Sequence, residues 1–248
     1  MSTFNSKNIT IFQDPSTLAK TAADLFISMS RKAIANNGRF SVALAGGTTP
    51  KLMYELLAGP LVEDVDWTKV YFFWGDERFV PLDHPDSTYL MVKNSLLTKA
   101  PILSDNIFIV PTTNCTVEEA AVHYSNTLVA HADSDLPRLD LVLLGMGPDG
   151  HTASLFPNST TLNLSELIAI EYNSPKPPSL RITMTHRLIN NADNIIVMVT
   201  GSDKAHTLHD VLGGKRDINK FPIQGVCPTN GKLFWLVDQK AADKIKLI

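Results

Sequence analysis

Asp149 and His151 stand two residues apart in the stretch Leu139 to Pro157, LDLVLLGMGPDGHTASLFP. An acid beside an imidazole is a pair suited to moving protons. Leu139 to Leu144 is a near-continuous apolar run without alternation, the pattern of a strand buried on both faces of a parallel sheet. The run opens into Gly145, Gly147, Pro148 and Gly150, so the strand stops in a tight glycine turn that carries the pair. In α/β proteins ligands bind beyond the carboxyl ends of parallel strands, where this turn falls. The competing reading is a helix cap, with Asp149 satisfying free N–H groups and His151 incidental.

Other segments repeat the pattern of polar groups after a strand. Phe40 to Ala45 runs into Gly46-Gly47-Thr48-Thr49-Pro50 and then a helix over about Lys51 to Leu57. Pro50 suits a first helical turn, and the free amides there suit an anion. The turn is neither GxxxxGK[ST] nor GxGxxG, so a single phosphate or sugar hydroxyls fit it better than a nucleoside cofactor. A plain structural turn is the alternative. Val70 to Trp74 is followed by Gly75-Asp76-Glu77-Arg78. Arg78 can fork onto a phosphate, with Asp76 and Glu77 orienting it or taking sugar hydroxyls; the alternative is a local salt-bridge knot. Arg181 lies on a strand over Leu180 to Met184, and Lys204 lies in the first turn of a helix that starts after Gly201 and runs to about Leu212.

The elements that must position these residues alternate along the chain. Ile9 to Phe12 reads as a short strand. Leu18, Ala22, Leu25, Phe26, Met29 and Ala33 recur at helical spacing after Pro15-Ser16. Ser87 heads a helix with Leu90, Met91, Asn94 and Leu97, and Ile107 to Val110 reads as a strand. Val117 to Ala132 is a helix that opens on Glu118-Glu119 at its positive end. Asn158 to Ser179 is looser, with Pro175, Pro177 and Pro178, and reads as a flap or a surface excursion around a strand at Leu167 to Tyr172. Ile195 to Thr200 and Leu233 to Asp238 are later strands, and Gln239 to Lys244 reads as a closing helix. Strand, loop and helix repeat at least five times without a clear linker. This predicts one α/β domain over residues 1–248: a doubly wound, largely parallel sheet with helices on both faces. A closed eightfold barrel needs more, and more evenly spaced, strands.

The 248 residues, 44% of them hydrophobic, suffice for one large core. The formal charge of −3 and the lack of a basic stripe argue against nucleic acid. No apolar run approaches the roughly 18 residues of a membrane span, and MSTFNSKNITIF has no apolar signal core. Cys115 and Cys227 make neither a disulfide framework nor a zinc cluster. An intracellular, cytoplasmic enzyme is the expectation.

Taken together these segments resemble the 6-phosphogluconolactonases, within the superfamily of glucosamine-6-phosphate deaminases and ribose-5-phosphate isomerase. The resemblance runs in order through ALAGGTTP (43–50), FFWGDERFVP (72–81), DS (86–87), GMGPDGHTASLFP (145–157), PPSLRITMT (177–185), TGSDKA (200–205) and LFWLVDQKAA (233–242). It implies a modified Rossmann fold of the sugar-phosphate isomerase type. It also implies hydrolysis of a phosphorylated sugar lactone in the oxidative pentose phosphate pathway, without metal or organic cofactor, by a monomer or small homo-oligomer.

His151 matches the family's catalytic histidine, with Asp149 placed to orient or polarise it. An imidazole, with a reference pKa of about 6.5, accepts a water proton at neutral pH. Amides of the glycine turn are expected to hold the oxyanion. Arg78, Arg181 and Lys204 are the expected phosphate cations, Gly46, Gly47 and Thr48 the anion loop, and Asp76 a further substrate contact. Ser154 sits too close behind the histidine, in an expected helix start, to form a triad. The deaminases place a glutamate where this chain has Phe156, and a tyrosine where it has Arg78. A phenyl ring moves no protons, so both departures favour the lactonase over the deaminase. A sugar-phosphate-binding regulator without turnover is the other alternative, and the retained DGH weighs against it.

Overall fold

Apolar runs closed by glycine or proline set the strands, and amphipathic stretches with caps set the helices. The computed structural model describes residues 9–245. In chain order the elements are β1 (Ile9–Phe12), α1 (Pro15–Asn37), β2 (Phe40–Leu44), α2 (Thr48–Leu57), β3 (Val70–Trp74), β4 (Asp76–Arg78), α3 (Thr88–Val92), α4 (Val117–Ala132), β5 (Leu141–Gly145), β6 (Ile168–Glu171), β7 (Arg181–Met184), α5 (His186–Ile189), β8 (Asn194–Val199), α6 (Ala205–Gly213) and β9 (Lys232–Asp238). Asp14 caps α1 by accepting from the Thr17 N–H at 2.8 Å. Gly38 ends the helix at φ 73°, a left-handed conformation that glycine adopts without strain. Thr116 and Glu119 form a reciprocal capping box at the start of α4.

Six strands form one parallel sheet in the order β1-β9-β8-β5-β2-β3. β2 is buried at all five positions, as a central strand covered on both faces must be. β2 leads to β3 on one side, while its other neighbour β5 leads to β8 in the opposite direction. The chain therefore reverses its winding between β2 and β5, and a crevice opens beyond their carboxyl ends.

A second sheet, antiparallel and ordered β4-β7-β6, stands at that end. Gly75 joins the two sheets: its N–H donates to Leu44 O at 2.9 Å, and its carbonyl accepts from Met184 N–H at 2.8 Å. This sheet corrects the reading of Asp76 to Arg78 as a charged loop. Those residues are a strand, with Asp76 and Glu77 buried.

Three other expectations are corrected. Ile107 to Val110 makes only a single bridge, Ile107 to Phe72, because its neighbours leave the edge of β3 at once. Gln239 to Lys244 forms turns, not a helix. No helix follows His151 either: Thr152 and Leu155 bridge each other in a tight reversal. The helix-cap reading of Asp149 has therefore no helix to cap. Among the described residues no helix is long and apolar enough to cross a membrane.

Candidate active site

Two tyrosines hold the strand ends that feed the crevice. The Tyr54 hydroxyl, from α2, accepts from Ala45 N–H at 3.0 Å and donates to Ala45 O at 2.9 Å. The Tyr124 hydroxyl, from α4, does the same to Trp74, at 2.6 and 3.0 Å. Both phenols are buried, which pushes their pKa up and keeps them protonated donors. Each fixes the residue before a glycine turn, Gly46-Gly47 in one case and Gly75-Asp76 in the other.

Behind the first clamp, Gly47 caps α2 at φ 109°. The first intrahelical bond runs from Lys51 N–H to Gly47 O. The amides of Thr48 and Thr49 precede it and point along the helix start toward the crevice.

The turn after β5 is pinned from three directions. Thr152 Oγ1 donates to Gly145 O at 2.9 Å, Thr207 Oγ1 of α6 to Pro148 O at 2.5 Å, and Ile223 N–H to Gly150 O at 3.0 Å. Within the turn His151 Nδ1 lies 2.5 Å from Asp149 Oδ1. Burial pushes the Asp149 pKa up, but the hydrogen bond and charge of His151, with the charge of Lys176, outweigh it and bring it down to about 2. An ionised carboxylate only accepts, so Nδ1 carries a proton, and in the neutral ring the lone pair lies on Nε2. Nε2 has no hydrogen-bond partner among the described residues. The ring packs on Phe156, centroids 4.6 Å apart. A Cβ at Gly147 would lie 2.0 Å from His151 Nδ1, so a side chain there and this ring position exclude each other.

The crevice is a cleft of about 390 Å³, and the residues expected at the site meet around it. Gly46, Gly47, Thr48, Asp76, Arg78, His151, Arg181 and Lys204 all line it, and Asp149 stands behind His151. Their circumstances differ. Asp76 Oδ2 accepts from Ser154 Oγ at 2.6 Å, which ties the central turn to β4. Glu77 is spent on the scaffold, its carboxylate accepting from the amides of Thr88 and Tyr89 at 2.7 Å each and of Arg78 at 2.8 Å. Burial pushes the Glu77 pKa up while those amides pull it back.

Arg78 and Arg181 face each other in the β4–β7 register. Arg78 gives one N–H to Asp86 O at 2.6 Å, while its buried Nε has no partner. Arg181, 3% exposed, donates from Nε to Pro178 O at 3.0 Å and from Nη2 to Lys176 O at 2.9 Å, with its guanidinium 5.5 Å from the centre of the Phe156 ring. Lys204 pairs with Asp203 at the start of the segment leading into α6.

Two expectations change. The amides of Gly147 and Gly150 are consumed inside the turn, on His151 O at 2.9 Å and Gly147 O at 3.0 Å, so they are not free for an oxyanion. Lys176 also lines the cleft; it lies in the proline-rich segment after β6, where sequence alone left open whether the chain covers the site. Among the described residues, no group of three or more His, Cys, Asp or Glu is placed to hold a metal.

The model of the family described as glucosamine-6-phosphate isomerases/6-phosphogluconolactonase matches residues 13–235. The chain belongs to this family. It is 36% identical over 244 residues to the 6-phosphogluconolactonase of Nostoc sp., covering 97% of this chain and 99% of that protein. The solved structure of the 6-phosphogluconolactonase from Trypanosoma cruzi superposes with a TM-score of 0.86 at 26% identity, over 99% of this chain and 98% of that one. A monomeric glucosamine-6-phosphate deaminase superposes with a TM-score of 0.82 at 19% identity, over 96% and 99% of the two chains, which is a likeness of fold. The family's mixed α/β fold, with its mostly parallel sheet, is the one described above. Phe156 is 2% exposed and serves as the packing plate for both His151 and the Arg181 guanidinium.

Proposed function

We propose that the chain hydrolyses 6-phospho-D-glucono-1,5-lactone to 6-phospho-D-gluconate, with His151 as general base. The observation that carries this reading is the Asp149–His151 pair at the mouth of a cleft lined by cations. His151 Nε2 takes a proton from the water that attacks the lactone carbonyl, while Asp149 holds the Nδ1 proton and steadies the imidazolium. The imidazolium then returns a proton to the ring oxygen as it leaves, so the histidine ends as it began. No side-chain nucleophile is needed: the Ser154 hydroxyl is fully buried and donates to Asp76.

The phosphoryl end is held by Arg78 and Lys204 with the Gly46-Gly47-Thr48 loop. Arg78 spends one N–H on Asp86 O and lines the cleft with the rest of its guanidinium, and the amides at the start of α2 add uncharged donors. Asp76 Oδ1 makes no bond among the described residues and is left for a sugar hydroxyl. The deaminase alternative lacks its acid at Phe156.

Freshly prepared 6-phosphogluconolactone is the test substrate, with spontaneous opening in buffer subtracted. Acceleration well above buffer that persists in EDTA supports the reading. No acceleration, with ammonia released from glucosamine 6-phosphate, would overturn it in favour of the deaminase.

A further inference from the structure

The reaction as proposed generates an oxyanion at the lactone carbonyl, and the turn beside His151 has spent the amides of Gly147 and Gly150 on itself. Pro148 has no N–H to offer. With these two glycine amides spent, a cation on that side of the cleft would supply the stabilisation they cannot.

Lys176 is placed to be that cation through the way its backbone is held. Its N–H donates to Ser174 Oγ at 3.2 Å, and its carbonyl accepts from Ser174 Oγ at 2.9 Å and from Arg181 Nη2 at 2.9 Å. Ser174 N–H closes the strap on Ser179 O at 3.0 Å, and Arg181 Nε holds Pro178 O. Ser174 and Arg181 are both buried, so the clasp is part of the fold, while the Lys176 side chain lines the cleft with His151. Among the described residues its ammonium forms no salt bridge; the cleft's other lysine, Lys204, is paired with Asp203. Its charge bears on Asp149, the partner of the catalytic histidine, and, more weakly placed, on Asp203. Arg181, by contrast, is nearly fully covered and has two of its nitrogens committed to the strap.

We infer that Lys176 is a catalytic residue that stabilises the oxyanion formed at the lactone carbonyl, and that Arg181 is a positioning residue that acts by clasping the strap bearing it. This rests on the lactonase reading above. An ammonium is a compact point charge with rotatable donors, suited to an oxygen whose charge appears only in the transition state. Arg181 then serves the reacting end through Lys176, and its charge serves the phosphate end only at a distance.

The test measures kcat and KM for wild type, Lys176→Met, Arg181→Met, Ser174→Ala and the Lys176→Met/Arg181→Met double variant. Each is assayed on 6-phosphogluconolactone and on unphosphorylated gluconolactone, with melting temperature as the folding check. Losing one oxyanion donor typically costs about 10²–10³-fold in kcat. Lys176→Met is expected to lose about 10²-fold in kcat on both lactones with little change in KM. Adding Arg181→Met to it should lower kcat little further, because both changes remove the same contact. Should Arg181→Met fail to fold, Ser174→Ala loosens the strap more gently and should lower kcat in a wild-type background but not in Lys176→Met. A near-normal kcat in Lys176→Met overturns the inference. So does a rise in KM confined to the phosphorylated lactone, which would make Lys176 a phosphate ligand. Additive losses overturn the clasp. A wild type without lactone turnover instead sinks the functional reading itself.

Discussion

Gly147→Ala is the sharpest probe of the histidine's position, because it adds one methyl group and substitutes none of the catalytic candidates. Its Cβ would lie 2.0 Å from His151 Nδ1, 2.1 Å from Cε1 and 2.6 Å from Asp149 Oδ1, whereas real Cβ contacts essentially never fall below 3.0 Å. The ring must therefore retreat by about 1 Å or more, and its 2.5 Å bond to Asp149 cannot survive unchanged. Gly147 is not at positive φ, so alanine meets no left-handed strain there, and the atoms that must yield are the ends of two side chains. The fold should persist. Misplacing a reacting group by about 1 Å can cost on the order of 10²-fold, and complete loss of general-base help about 10²–10⁴-fold. The expected outcome is a kcat on 6-phosphogluconolactone lower by roughly 10²-fold or more. Affinity for the product 6-phosphogluconate, measured by titration calorimetry, should be little changed, and the melting temperature should stay within a few degrees. Full kcat in a folded Gly147→Ala protein would refute the reasoning, since it would show that water is activated without His151 in its observed place.

Other outcomes follow from the same geometry. His151→Asn should lower kcat by about 10²–10⁴-fold while product still binds, read by paired turnover and titration. Arg78→Met or Lys204→Met should raise KM for the phosphorylated lactone and leave unphosphorylated gluconolactone nearly unaffected, since a charge-assisted contact is worth about 1.5–3 kcal/mol; equal losses on both would remove these residues from the phosphate end. Glu77→Ala should lower stability by about 2–3 kcal/mol in urea unfolding, because three amides lose a charged acceptor. His131 sits among Tyr71, Phe73 and Phe108, where burial and then the charge of Arg39 push its pKa down to about 4. The folded state therefore binds fewer protons than the unfolded one between about pH 6.5 and 4, so stability should fall with pH through that window, by no more than about 3 kcal/mol from this group. His131→Phe should flatten the slope, leaving the smaller contribution of His186, which burial shifts the same way.

The parallel sheet and the placing of Asp149 and His151 were legible because both depend on local pattern. A buried strand has to be apolar throughout, and glycines mark where it stops. The small antiparallel sheet was not. Asp76-Glu77-Arg78 has no apolar residue, and its strand character comes from the register with β7, a pairing between distant segments. The same distance hid Lys176. Its segment reads as proline-rich and irregular, and only the Arg181 bonds to Lys176 O and Pro178 O show that it is drawn over the cleft. The helix expected after His151 failed because Thr152 turns its hydroxyl back onto Gly145 O and Leu155 closes the reversal. The family resemblance was legible in the ordered motifs, and the match over residues 13–235 agrees with it. How Arg78, Arg181 and Lys204 divide their tasks was not, since the partners that occupy a guanidinium are backbone carbonyls, which no residue type advertises.

The pairing of β1 has a consequence for how the chain is made. Among the described residues β1 sits at the sheet edge and pairs with β9 alone, with Ile9 opposite Trp235 and Phe12 opposite Asp238. During synthesis at about 5–20 residues per second, the first described strand thus leaves the ribosome some tens of seconds before its partner exists. Until then Ile9, Ile11 and Phe12 form an unpaired edge of the kind that recruits other chains. Two features limit the hazard. The strand is four residues long, and Asp14-Pro15 turns the chain at once into a helix that can form from local contacts alone. The first described strand is thus sealed into the sheet only once β9 has been made.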